Sequence, residues 1–196
     1  MKAKLPQIRF VEKGHKYFAG GTEFASVSSV LEKASLTDTR WMKPEYAQRG
    51  TEAHQSIARA INGQEDPNYH LYEPYVSGAL DFLHYSGIAV LHVEHVVADY
   101  TRRIAGTADI IGKKPDDTIV VVDWKTGGMH SWYPVQLSAY KSMAMANTGV
   151  IVQLTDKGKF KLIDKYQKKS LNWVYWDHIW NAAAELEHHR WSIQEG

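Results

Sequence analysis

The hydrophobic pattern along the chain changes period near Gly87. Before it, apolar residues recur mostly at helical spacing; after it, from Val90 to Lys125, they follow the period of two expected of strands. In the first part, Gln7–Val11 and His15–Ala19 are predicted as short strands joined at Gly14, and Gly20-Gly21 marks a turn. Phe24-Ala25-Ser26-Val27-Ser28 leads into a first helix, with Ser26 or Ser28 as its cap and Val27, Val30 and Leu31 on its apolar face. A second helical region begins at Thr37-Asp38, is interrupted at Pro44 and continues to Ile61, where Asn62-Gly63 stops it. Beyond a polar loop through Pro67, Leu71–Ser86 is predicted as a helix, with Tyr72, Tyr75, Val76, Ala79, Leu80 and Leu83 spaced for burial. Strands are then expected at Val90–Tyr100, Ile104–Ile111 and Thr118–Lys125, with a polar turn over Lys113–Asp117. A helix over Trp132–Asn147 tolerates Pro134 in its first turn. Val150–Thr155 and Lys159–Lys165 form a hairpin across Asp156-Lys157-Gly158, and Asn172–Trp191 is a last amphipathic helix. The order predicts one domain over residues 1–196, a mostly helical region (1–87) ahead of an α/β core (88–196).

Within that core one stretch stands apart, Ile119-Val120-Val121-Val122-Asp123-Trp124-Lys125-Thr126-Gly127. Four consecutive β-branched residues imply a strand buried on both faces, yet Asp123 and Lys125 stand at its end. Residues two apart on a strand point the same way, so carboxylate and ammonium share a face. A strand-end ion pair would explain them structurally. Asp109, in Gly106-Thr107-Ala108-Asp109, lies on the preceding strand, and the short connection makes the two strands antiparallel neighbours. Asp109 could cap a turn, but two carboxylates near a lysine also make a hard-oxygen site for Mg2+ or Mn2+. Glu94, one strand earlier, either approaches the same cluster or pairs outward with Arg102 or Arg103.

Two helices offer further candidates. His54 shares a helix face with Ile57, Ala58 and Ile61, which fits a core histidine as well as a ligand, and Gly50 one turn earlier permits close approach of a backbone or a phosphate. Gln136 and Tyr140 project together from the helix after the Asp-Trp-Lys strand, either towards a nucleic acid or as a hydrogen-bonded pair. Lysines 157, 159, 161, 165, 168 and 169 surround the last hairpin, where they protect an edge strand or track a phosphate backbone.

Composition narrows the classes. With 196 residues and 44% hydrophobic content the chain can bury a sizeable core. Cysteine is absent, which excludes disulfides, thiolate zinc sites and cysteine-ligated iron–sulfur clusters. No run is long enough to span a membrane and no apolar signal follows Met1-Lys2-Ala3-Lys4, so a cytoplasmic protein is expected. A net charge of +1 carries no bulk sign of nucleic-acid binding. Its distribution is uneven: residues 1–62 hold ten basic against six acidic side chains, residues 63–125 five against ten, and residues 126–196 eight against six. A central acidic block between basic ends suits a metal site with a polyanion held around it.

Taken in order, Gly50 to His54, Gly106-Thr107-Ala108-Asp109, Asp123-Trp124-Lys125-Thr126-Gly127 and Gln136-Leu137-Ser138-Ala139-Tyr140 resemble the PD-(D/E)xK nuclease superfamily, and more narrowly its RecB-type exonuclease branch. His15-x-Tyr17 with Phe24-Ala25-Ser26-Val27-Ser28 is similar to the start of phage-encoded exonucleases and of the mitochondrial genome-maintenance exonuclease group. The resemblance implies a restriction-endonuclease-like α/β fold with a central mixed β-sheet flanked by helices. It implies one or two Mg2+ or Mn2+ ions on His54, Asp109, Asp123 and the Trp124 carbonyl, with Glu94 as a possible further or supporting ligand. Asp109, Asp123 and Lys125 would be catalytic, Lys125 facing the attacking water. Gln136, Tyr140, Thr107, Thr126 and Arg49 would contact DNA. Relatives that carry four cysteines hold an iron–sulfur cluster; this chain has none to offer. Pro115-Asp116 mimics the superfamily's name but sits in a turn, which leaves Asp109 as the working acid.

The function this implies is a metal-dependent DNA exonuclease acting from a free single-stranded end, in a bacterial or phage-infected cell, alongside a recombination or replication partner. A structure-specific or nicking endonuclease of the same fold and a catalytically silent DNA-binding recombination accessory protein are the alternatives.

Overall fold

The computed structural model describes residues 5–37, 43–163 and 173–194. Gly14, Gly20 and Gly21 take positive φ of 85°, 54° and 90°, where L side chains are disfavoured, and so turn the chain back on itself twice. The result is an antiparallel meander of β1 (Arg9–Val11), β2 (Lys16–Ala19) and β3 (Thr22–Ser26), with Tyr17 opposite Phe24. Strand β3 departs from expectation, since Phe24–Ser26 reads in sequence only as the approach to a helix. That helix, α1 (Val27–Lys33), does follow, and Ser26 caps it: its Oγ accepts the Ser29 N–H at 3.1 Å, a contact worth about 1 kcal/mol.

Helix α2 (Pro44–Ile61) opens on a proline whose missing N–H is no loss at a helix start. The expected helical onset at Thr37-Asp38 falls largely on residues outside the described ones, and Thr37 itself is not helical. Helix α3 (Tyr69–Ser86) ends at Gly87, which adopts φ 65°. Tyr72, Tyr75, Val76 and Ala79 are buried as expected, but Leu80 is 41% exposed and Phe82 takes the inward place. Leu80 lies about 100° around the helix from Ala79, outside the stripe that Phe82 continues.

Strands β4 (Ala89–Asp99), β5 (Ile104–Lys113) and β6 (Ile119–Lys125) follow, then helix α4 (Tyr133–Met143), strands β7 (Thr148–Leu154) and β8 (Phe160–Leu162), and helix α5 (Trp173–Gln194). Helix α4 stops short of Asn147, whose backbone N–H and side-chain Oδ1 bind the backbone of Ile119 and pin the start of β6. The part of the expected last strand beyond Ile163 lies outside the described residues.

All eight strands join one mixed sheet in the order β1-β2-β3-β5-β6-β7-β8, with β4 paired to the other edge of β5. The N-terminal region therefore contributes strands to the core sheet as well as helices. Helices α2 and α3 cover one face, packed on Val120, Val122 and Trp124; α1, α4 and α5 cover the other, packed on Val121 and Ile151. Val120, Val121 and Val122 are each fully buried, which at about 1.5–3 kcal/mol per side chain makes β6 the anchor of both layers.

The edge of β5 that faces β6 is divided. At one end Ala25 and Ser26 of β3 pair with Ile104 and Ala105; at the other, the β6 ladder runs from Lys113 only as far as Ile110 opposite Val122. The strands fork beyond that pair. Asp109 and Asp123, next in register, stand where they part.

Candidate active site at the strand fork

Past the fork the β5–β6 ladder no longer reaches Trp124, and its N–H donates to Asp109 Oδ2 at 2.7 Å. The Trp124 ring turns the other way, buried edge-on against Phe82. Space inside the fork is filled from α4: a methyl added at Gly106 would meet the Tyr140 ring at 2.6 Å, so the glycine lets that helix approach.

Helix α2 brings His54. Its neighbours Ala53 and Ile57 are buried in the core, which leaves the imidazole at the rim of the apolar stripe rather than within it. His54 Nδ1 lies 3.1 Å from Asp109 Oδ1. One turn earlier, Gly50 faces the Thr126 hydroxyl, and Arg49 Nη2 donates to the Thr126 carbonyl at 3.4 Å. Glu94 sits on β4 with φ 47°, a conformation uncommon for a non-glycine residue and found at functional sites. Its carboxylate turns to the cluster, while Arg102 pairs instead with Asp99 and Glu185. One ligand atom each of His54, Glu94 and Asp109 lie within 4.8 Å of one another.

Asp123 and Lys125 do share a face, and they do form the ion pair: Lys125 Nζ is 2.7 Å from Asp123 Oδ2 and donates to Gln136 Oε1 at 2.9 Å. This is the strand-end ion pair that the sequence allowed. The Tyr133 ring lies under the ammonium at 4.3 Å. Gln136 in turn donates to the Tyr140 hydroxyl at 3.2 Å, and both are buried. They form the hydrogen-bonded pair that sequence spacing allowed, and they hold Lys125. Thr107 shares its hydroxyl with that of Tyr17 at 3.0 Å.

The charges at the fork are unbalanced. For Asp109 burial acts upwards, but the charge and hydrogen bond of His54, with Lys125 and the Trp124 N–H, hold its pKa below the ordinary carboxylate value. For Asp123 burial dominates and Asp109 adds repulsion; Lys125 only partly compensates, and the group is pushed up to about 6. Glu94 is exposed by its surface area, yet the cavity walls around its carboxyl partly desolvate it, and this with Asp109 and Asp123 pushes it up to about 7 against the pull of His54. For His54 burial acts downwards, yet the charge and hydrogen bond of Asp109 outweigh it and raise the imidazole above its ordinary value. Three acids converge beside Lys125 and His54, and Asp123 Oδ2 is buried without a hydrogen bond of normal geometry. A hard divalent cation fits this donor set. His54, Glu94 and Asp109 present it with ligand atoms directly, and Asp123 stands beside them.

The residues that the resemblance assigns to metal, catalysis or DNA line one cavity of about 1390 Å3, including Thr107, Thr126 and Arg49. Sequence reasoning missed Tyr17 and Tyr133 as parts of it. His15-x-Tyr17 carried a resemblance without a role, and nothing in the spacing of Tyr17 and Thr107, 90 residues apart, signals their contact. Among the described residues no helix is long and apolar enough to cross a membrane.

The profile of the PD-(D/E)XK nuclease superfamily matches residues 26–172, and the chain belongs to that superfamily. Among solved structures it is similar to an alkaline exonuclease, LHK-Exo, from Laribacter hongkongensis, at 12% identity and a TM-score of 0.44, over 88% of this chain and 93% of that one. The complex of LHK-Exo with dAMP gives 14% identity and a TM-score of 0.42 over the same shares. No curated protein sequence matches the chain.

Proposed function

We propose that this protein is a Mg2+- or Mn2+-dependent deoxyribonuclease that hydrolyses phosphodiester bonds from a free, single-stranded end of DNA. The observation that carries the reading is the pair Asp109 and Asp123, buried side by side at the fork, with Lys125 held between Asp123 and Gln136. A structural ion pair needs one acid and one base; two buried acids of opposite pKa shift beside a lysine have the separation of roles that hydrolytic sites use.

In this reading His54, Glu94, Asp109 and Asp123 hold one or two ions, with the Trp124 carbonyl as a further donor. Such an ion, when bound, polarises the scissile phosphate and lowers the pKa of a water beside it. Asp109 is kept ionised by His54 and the Trp124 N–H, ready to bind a cation without first losing a proton. Lys125, held beside the acids by Gln136, would orient the attacking water and stabilise charge on the phosphate. Gln136 and Tyr140 position Lys125 and, with Thr107, Thr126 and Arg49, line the path of the strand. A partner in recombination or replication and a cytoplasmic setting in a bacterial or phage-infected cell accompany this function.

The test uses end-labelled DNA with Mg2+ or Mn2+, comparing wild type with Asp123→Ala and Lys125→Ala. Loss of cleavage in both variants supports the reading; equal activity in all three sinks it. Closed circular single-stranded DNA left intact supports the exonuclease, and its cutting shows an endonuclease.

A further inference from the structure

Beside the acidic cluster the cavity wall is aromatic, and the sequence motifs absorb little of it. Phe10 lies across from His15 and Tyr17 in the first hairpin, with ring centroids 5.0 and 5.1 Å away. Tyr46, at the start of α2, is 53% exposed, and the Arg49 guanidinium lies 5.3 Å from its ring centre. On the opposite side Trp132 meets Tyr133 edge-on at 4.5 Å. All of these line the same cavity as Asp109 and Lys125.

Core packing does not account for Phe10 and Tyr46. Phe10 is 38% exposed and Tyr46 53%, and neither belongs to the buried clusters. Both rings are nevertheless tied to the site. Phe10 packs on Tyr17, whose hydroxyl bonds to Thr107, two residues along β5 from Asp109. Tyr46 is on the same helix as His54, with Arg49 between them. Exposed rings held at a phosphate-handling site, one with a guanidinium on a face, are the elements from which proteins build stacking platforms for unpaired bases.

We propose that Phe10 and Tyr46 form a base-stacking subsite that receives unpaired nucleobases of the strand entering the cavity, and thereby selects single-stranded over duplex DNA. This rests on the reading of the cavity as a DNA site. Bases in a duplex are already stacked on one another and have no faces to offer these rings. The subsite tolerates any base, because every base has a π-face.

The decisive experiment measures binding, not cleavage. Wild-type protein in EDTA is titrated into two fluorescein-labelled ten-nucleotide strands, oligothymidylate and an abasic strand of equal length, and anisotropy is followed. Oligothymidylate is expected to bind about tenfold tighter or more, and Phe10→Ala or Tyr46→Ala to remove most of that advantage while leaving abasic-strand affinity unchanged. Phe10→Tyr and Tyr46→Phe, which keep a ring, retain it. Equal binding of the two strands by wild type, no binding of oligothymidylate, or equal weakening of both strands by the alanine variants overturns the proposal. Equal binding of the two strands by wild type overturns the proposal even where a variant fails to fold, and a ring-free Phe10→Leu or Tyr46→Leu replaces an alanine variant that does. Cleavage with Mg2+ or Mn2+ is measured separately. A protein that cleaves without base-dependent binding refutes the subsite alone; base-dependent binding without cleavage refutes the nuclease reading alone.

Discussion

Replacing Asp123 by Asn tests whether the fork stores unfavourable charge that a cation relieves. In the metal-free protein Asp123 is 3% exposed and its pKa is pushed up to about 6 by burial and by Asp109, against the opposing pull of Lys125. In the unfolded chain it titrates near the usual value of about 3.9. Between these two values the folded state binds the extra proton, so stability falls as pH rises through roughly pH 4 to 6. By pH 8 the loss is complete and amounts to about 3 kcal/mol at about 1.4 kcal/mol per pH unit, reduced to about 2 where the strand ends relax. Asn cannot ionise and keeps an oxygen for the Lys125 ammonium, so Asp123→Asn escapes this loss. In EDTA at pH 8 the variant is expected to be about 2 kcal/mol more stable than wild type by urea denaturation, and at pH 4 nearly equal to it. Added Mn2+ should raise the stability of wild type more than that of the variant, because only the native state binds the ion at the full donor set. An Asp123→Asn protein less stable than wild type in EDTA at pH 8 would refute the reasoning, and would mean that the Lys125 pair is net stabilising.

Three further outcomes are expected. Glu94→Gln leaves shape and backbone in place but removes the negative charge and one carboxylate oxygen, so Mn2+ affinity by titration calorimetry should fall about tenfold or more; unchanged affinity would show that Glu94 only borders the site. Gly106→Ala puts a methyl 2.6 Å from the Tyr140 ring, and should cost about 1–3 kcal/mol of stability and lower cleavage by displacing the Gln136–Lys125 contact. Lys33→Met removes the 2.5 Å contact to Glu187, which is 1% exposed and joins α1 to α5; with Arg190 still bound, a loss of about 1–2 kcal/mol by denaturant titration is expected, with cleavage retained.

Much of the fold was legible because its signals are local. The branched run Ile119–Val122 can only be a doubly buried strand, Gly87 can only end a helix cheaply, and Ser26 is a cap by chemistry. Strand β3 was not legible, since five residues with little alternation become a strand only when β2 and β5 lie beside them. Likewise Leu80 and Phe82 differ by their angle around a helix, and both angles look apolar in sequence.

The site divides the same way. Residue order alone determined that Asp123 and Lys125 share a strand face, that Gln136 and Tyr140 share a helix face, and that Asp109 lies on the adjoining strand, because those relations follow from strand and helix periods. Only the tertiary structure decided where the ladder between β5 and β6 stops. That break leaves the Trp124 N–H to Asp109, opens room for His54 and Glu94, and puts Lys125 on Asp123 and Gln136. The physical reason is that the fork arises from competition between β3 and β6 for one edge of β5, strands more than ninety residues apart. No local period encodes the outcome of that competition. The Asp-Trp-Lys strand supplies the chemistry, and the packing of distant strands around it decides which groups that chemistry meets.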